Sequence, residues 1–87
     1  MDIIFTEHAS FTVKRRGISK KIIREFVMHP QQSFTSETGR ITIQGKYNDE
    51  IEGKEMLLRI IGIKKSGSFN IITVYKTSKI DKYWVKE

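Results

Sequence analysis

Arg59 stands in "EMLLRIIGI", between Leu58 and Ile60, inside a strongly apolar run. An unpaired guanidinium is costly to bury. Two readings follow. Either Arg59 pairs inside the fold, with Glu52 or Glu55 of the preceding acidic stretch, or it leaves the sheet with Leu57 and Ile61 on a face that helices do not cover. On an open face its planar, always charged fork suits a phosphate. Two lysines extend that second reading. Lys46 lies on the polar side of the alternating run "RITIQGKYN". Lys76 falls with Ile72 and Val74 on one face of "FNIITVYKTS", and Tyr75 with Ile71 and Thr73 on the other. If register aligns three neighbouring strands, Lys46, Arg59 and Lys76 form a positive row. Taken singly, each is a solvated surface charge.

His8 opens a helical stretch, and imidazole is the side chain best suited to proton transfer near neutral pH. The rival reading fastens the helix to the sheet through a ring nitrogen. His29 precedes Pro30 and reads as a helix-end residue. Two histidines without an acid cluster make no metal site, and no motif calls for a cofactor. The chain closes with "TVYKTSKIDKYW", where cations, hydroxyls and aromatics gather as a strand ends. Lys79 can add charge to a phosphate-binding rim, and Tyr83 and Trp84 can stack on a base. Alternatively, Trp84 folds back over an edge of a small core.

The elements that must position these residues are legible in outline. "DIIF" reads as a strand. Thr6 caps a helix over 7–16, which ends in Lys14, Arg15 and Arg16 and is stopped by Gly17. Ser19 caps a second helix over about 20–29, with Ile18 stapled to Ile23 and an apolar stripe of Ile22, Ile23, Phe26 and Val27. After Pro30 the period becomes that of strands. "QSFTS", "RITIQGKYN", "MLLRIIGIK" and "FNIITVYKTS" are separated by the turns "ETGR", "NDEIEGKE" and "KSGS". The order β-α-α-β-β-β-β predicts an α+β fold, two N-terminal helices packed on one face of an antiparallel sheet.

The chain has 87 residues, a length that suits one domain spanning 1–87. A domain of this size has no room for a deep cavity, so a site belongs on a face or in a groove. With 38% apolar residues the composition is that of a globular chain rather than a disordered one. The absence of cysteine removes disulfides, thiolate catalysis and thiolate metal sites, and it fits a cytoplasmic location. No signal peptide and no membrane-spanning run is visible. Formal net charge is +6. Residues 1–30 carry six Lys/Arg against three Asp/Glu, residues 31–60 four against five, and residues 61–87 six against two. If the two basic ends meet, they make one positive face for nucleic acid or an acidic protein.

Read in order, "FTEHASFTVKRRGISKKIIREFVMHP", "GRITIQGKY", "LLRIIGI" and "IITVYKTSK…KYW" resemble the uncharacterised DUF family numbered 4258. That family is similar to BrnT-type and RelE/ParE-type toxins of bacterial toxin–antitoxin pairs. The resemblance covers nearly the whole chain, through His8–Ala9, Arg15 to Ser19, Pro30 and Thr73 to Lys79. It implies a RelE-like fold, a cognate antitoxin and metal-independent cleavage of mRNA, free or on the ribosome. In such ribonucleases the RNA 2′-hydroxyl is the nucleophile. Arg59 corresponds to a catalytic arginine of RelE-like enzymes, Lys46 and Lys76 to basic positions, and His8 is the candidate base. Arg15, Arg16, Lys79, Tyr83 and Trp84 are the RNA-binding candidates. The alternative is a non-catalytic RNA- or protein-binding module of the same fold.

Overall fold

The structure, a computed structural model, describes residues 2–86. The fold is α+β. β1 (Asp2–Phe5) leads into α1 (Glu7–Arg16) and α2 (Lys20–Met28). Then come β2 (Gln32–Thr35), β3 (Ile41–Asp49), β4 (Lys54–Lys65), β5 (Ser68–Thr77) and a single-turn α3 (Ile80–Tyr83).

Local chemistry sets the helix ends. The Thr6 hydroxyl accepts from the Ala9 amide at 3.2 Å and the Ser19 hydroxyl from the Ile22 amide at 3.4 Å, so each cap satisfies an amide that the first turn leaves free. Gly17 closes α1 in the left-handed region, and the Ile18 amide returns to the Val13 carbonyl at 3.0 Å. The β4–β5 hairpin turns on Ser66 and Gly67 alone, both at positive φ, the geometry that matches the twist of paired strands.

The strands form one five-stranded sheet in the order β1-β5-β4-β3-β2. Its three hairpin pairs are antiparallel, but β1 pairs with β5 in parallel, Asp2 opposite Ser68 and Phe5 opposite Ile71. The sheet is therefore mixed, not antiparallel as the element order suggested. The first strand reaches the sheet through a long connection rather than a hairpin, and such a connection permits a parallel edge.

One face carries the core. Ile43, Leu58, Ile60, Phe69, Ile71 and Val74 from the sheet cluster with Ala9, Val13, Ile18, Ile23, Phe26 and Val27 from the helices and their link. A bulge interrupts the strict alternation of β5. Ile61 pairs with Thr73 but Gly62 pairs with Ile71, so Ile72 has no opposite number. A Cβ on Gly62 would lie 2.5 Å from the Asn70 carbonyl oxygen, so only glycine allows this approach. The bulge changes which residues share a face. Ile71 joins Val74 and Lys76 on the helix side, and Thr73 and Tyr75 point the other way. The alternation read from sequence had placed Ile71 with Tyr75.

Candidate functional site

Register brings four polar residues into one row across the second face, the one α1 and α2 do not cover. Gln32 of β2 lies opposite Gln44 of β3, Gln44 opposite Arg59 of β4, and Arg59 opposite Tyr75 of β5. Their side chains form a continuous chain of hydrogen bonds. Gln44 Nε2 donates to Gln32 Oε1 at 2.7 Å, Arg59 Nε donates to Gln44 Oε1 at 3.0 Å, and Arg59 Nη1 donates to the Tyr75 hydroxyl. Gln44 is fully buried, so its carboxamide is a fixed support for the guanidinium. The adjacent row is Lys46, Leu57 and Thr77.

The segment after β5 folds back over these rows. The Tyr83 ring lies 4.3 Å from Arg59 Cζ, and the Trp84 ring 4.1 Å from Lys46 Nζ. Gln44 Nε2 donates to the Tyr83 carbonyl at 3.0 Å. Gln32 Nε2 donates to the Val85 carbonyl at 2.6 Å, and Gln32 Oε1 accepts from the Val85 amide at 3.2 Å. Leu57 is fully buried although it lies outside the helix-side cluster, so the second face also has a cover.

Arg59 makes no ion pair among the described residues. Neither Glu52 nor Glu55 meets it. Its partners are a carboxamide, a phenol and aromatic rings, all neutral. Two of its five N–H donors are used in these bonds. The rest can grip an anion in bidentate fashion.

Lys76 is the principal correction. It lies opposite Leu58 on the helix side, so it cannot join a row with Lys46 and Arg59. Its ammonium is nearly buried, 2.9 Å from Asp49 Oδ2 and 3.9 Å from Glu52. Asp49 is the centre of a saturated cluster. Oδ2 also accepts from the Tyr47 hydroxyl at 2.7 Å, and Oδ1 accepts from the Ile51 and Glu52 amides, each at 2.9 Å. Burial by itself pushes the Asp49 carboxyl up. The hydrogen bonds from the Glu52 amide, Tyr47 and Lys76, with the Lys76 charge, outweigh it and hold Asp49 well below the usual carboxylate range. Burial, then the bond to Asp49 and its charge, push the Tyr47 phenol well above its ordinary value. The cluster pins the β3–β4 turn. A groove of about 470 Å³ opens beside it, lined by Lys21, Ile22, Glu25 and Tyr47. Its charges are of both signs and Asp49 has no free lone pair, so it offers less chemistry than the second face.

The other candidates separate likewise. His8 is exposed in the first turn of α1, which packs against the helix-side face, so His8 and Arg59 lie on opposite sides of the sheet. Arg15 and Arg16 are exposed in the last turn of α1. Lys79 is exposed just before α3, on the segment that covers Arg59. Arg15 and Arg16 therefore belong to the helix side, and Lys79 to the segment over the second face. Tyr83 and Trp84 turn inward onto Arg59 and Lys46, the fold-back alternative for Trp84. Sequence reasoning missed Gln32 and Gln44 as supports and Tyr75 as Arg59's partner. Counting back from the β3–β4 turn would have matched Gln44 with Arg59, but the bulge displaces the equivalent count for Tyr75.

Among the described residues no group of three or more His, Cys, Asp or Glu gathers to hold a metal, and no helix is long and apolar enough to cross a membrane. Comparison of the chain with models of known families, with curated proteins and with solved structures found no match.

Proposed function

We propose that this chain is an RNA-binding protein of the toxin type, with a RelE-like fold, and that it takes an RNA phosphodiester at Arg59. The observation that carries this reading is the neutrality of Arg59's surroundings. A half-buried guanidinium held by Gln44 and Tyr75, with no carboxylate on it among the described residues, is already aimed and still has charge to offer. Lys46, in the adjacent row of the same face, supplies a second cation for the same polyanion. The net charge of +6 draws such a polyanion from a distance. The protein partner this reading calls for is a cognate antitoxin, and its compartment is the cytoplasm.

One observation favours cleavage as well as binding. The Tyr75 hydroxyl accepts from Arg59, which leaves its own proton to donate. In a transesterification the 2′-hydroxyl gives its proton to water as the 2′-oxygen bonds to phosphorus, the P–O5′ bond breaks, and a proton must reach the leaving 5′-oxygen. Tyr75 stands where it can supply that proton beside the phosphate held by Arg59. His8 and Lys76 have no part in this version.

Fluorescence anisotropy of a labelled single-stranded oligoribonucleotide tests the reading. Arg59→Ala is expected to weaken binding about thirtyfold, the value of one charge-assisted bidentate contact, with an unchanged circular dichroism spectrum. Equal affinity in the two proteins overturns it. For cleavage, end-labelled RNA should yield 2′,3′-cyclic phosphate ends in the presence of chelator, and Tyr75→Phe should slow their formation while leaving RNA affinity within about threefold.

A further inference from the structure

We infer that Ile80–Val85 is an intramolecular occupant of the RNA face, an autoinhibitory cover that RNA displaces; the inference rests on the reading of Arg59 and Lys46 given above. Two consecutive residues cover two cations of that face. Tyr83 presents its ring to Arg59 and Trp84 presents its ring to Lys46. A ring face attracts a cation through its quadrupole and carries no charge of its own. It satisfies the cation while the site is empty and yields to a phosphate, which brings a full charge. The contrast is Lys76, whose partner is a buried carboxylate that no incoming anion can easily replace.

The segment is held by attachments that can be released. Its backbone is caught by two carboxamides, Gln32 on Val85 in both directions and Gln44 on the Tyr83 carbonyl. Gln44 also holds Arg59, so the support that orients the guanidinium registers whether the cover is docked. α3 is four residues long with no side-chain cap, and one helical turn has little stability of its own. Ser78 and Lys79 are exposed and link it to β5. Val85 is 48% exposed, so apolar burial does little to anchor the end of the segment.

The test uses the full chain and the same labelled single-stranded oligoribonucleotide. The double substitution Tyr83→Ala, Trp84→Ala is expected to bind RNA about tenfold more tightly, the combined worth of two cation–π contacts. Gln32→Ala keeps both rings and removes the clamp on Val85. It is expected to strengthen binding about threefold, and it carries the test if the double variant does not fold. Trp84 is the only tryptophan, so its emission reports the cover directly. RNA added to the wild-type protein should shift that emission to the red as the ring enters water. Weaker binding by either variant, with Arg59→Ala still harmful, or quenching without a red shift, overturns the cover and makes the rings a stacking platform. If Arg59→Ala leaves RNA affinity unchanged, the RNA reading itself falls and the cover falls with it.

Discussion

Lys76 and Arg59 sit on neighbouring strands, one register pair apart, and leave the sheet in opposite directions. Each is beside a tyrosine. On the helix side, Lys76 and Tyr47 both end on the Asp49 carboxylate, whose four lone-pair positions are filled. On the second side, Arg59 and Tyr75 meet each other, and the remaining contacts are carboxamide and ring. The first arrangement cancels its charge internally and spends it on pinning a turn. The second keeps its charge and spends only neutral groups on orienting it. A cation that has its own carboxylate belongs to the scaffold, and one that does not has room for a ligand.

The largest expected effect breaks the helix-side cluster. Lys76→Ala leaves Asp49 buried without its cation, and urea unfolding should show a loss of about 3 kcal/mol. RNA affinity per folded molecule should not change. A stable Lys76→Ala protein with impaired RNA binding would reverse the assignment of the two sides. Next comes Arg59→Lys, which keeps the charge and removes the fork. Stability should move by about 1 kcal/mol or less, and RNA affinity should fall about tenfold. Unfolding by several kcal/mol would mean that Arg59 too is scaffold.

The third prediction separates the sides by pH. Asp49 titrates in the folded chain below its unfolded value of about 3.9. Between those values the unfolded state binds more protons, so stability falls as pH falls. Asp49's contribution is complete above about pH 4 and lost through the folded value. Urea midpoints at pH 6 and pH 3 should therefore differ less in Asp49→Asn than in the wild type. Tyr47 has the opposite sign. Its folded value is raised, so its contribution is present below about pH 10 and lost as pH rises beyond it. Arg59→Ala should leave the acid limb unchanged, because no carboxylate stands in its row.

Smaller still is the salt effect. RNA affinity should fall with salt, and Arg59→Ala should reduce the slope of log K against log salt by about one, the release due to one phosphate. The smallest effect is His8→Gln, for which neither melting temperature nor RNA affinity should change appreciably. A loss of RNA binding in that variant would move the site to the helix side.

Caps, stripes and turns are local, and they were legible from the residues themselves. Thr6 and Ser19 start the two helices, Gly17 ends the first, and Ile23, Phe26 and Val27 face the core because a 3.6-residue period admits one stripe. The two-residue period of a strand grouped Arg59 with Leu57 and Ile61 but left open whether it paired inside the fold or left by the uncovered face. By itself the sequence determined the α+β class and the order of the elements from β1 to β5, without α3. The tertiary structure decided the rest, for reasons that no local window contains. Ile72 is unopposed only because Gly62 lets the Asn70 carbonyl approach, and that one-residue step sends Lys76 to Asp49, 27 positions away. β1 lies parallel because its partner is the last strand, not the next one. Tyr83 and Trp84 lie over Arg59 and Lys46 because Gln32 and Gln44, brought level by the β2–β3 register, hold the backbone that carries them. Pairing across the sheet sums contributions from residues far apart in the chain. The partner of a side chain is therefore fixed by register and closure, and its type only limits what that partner can be.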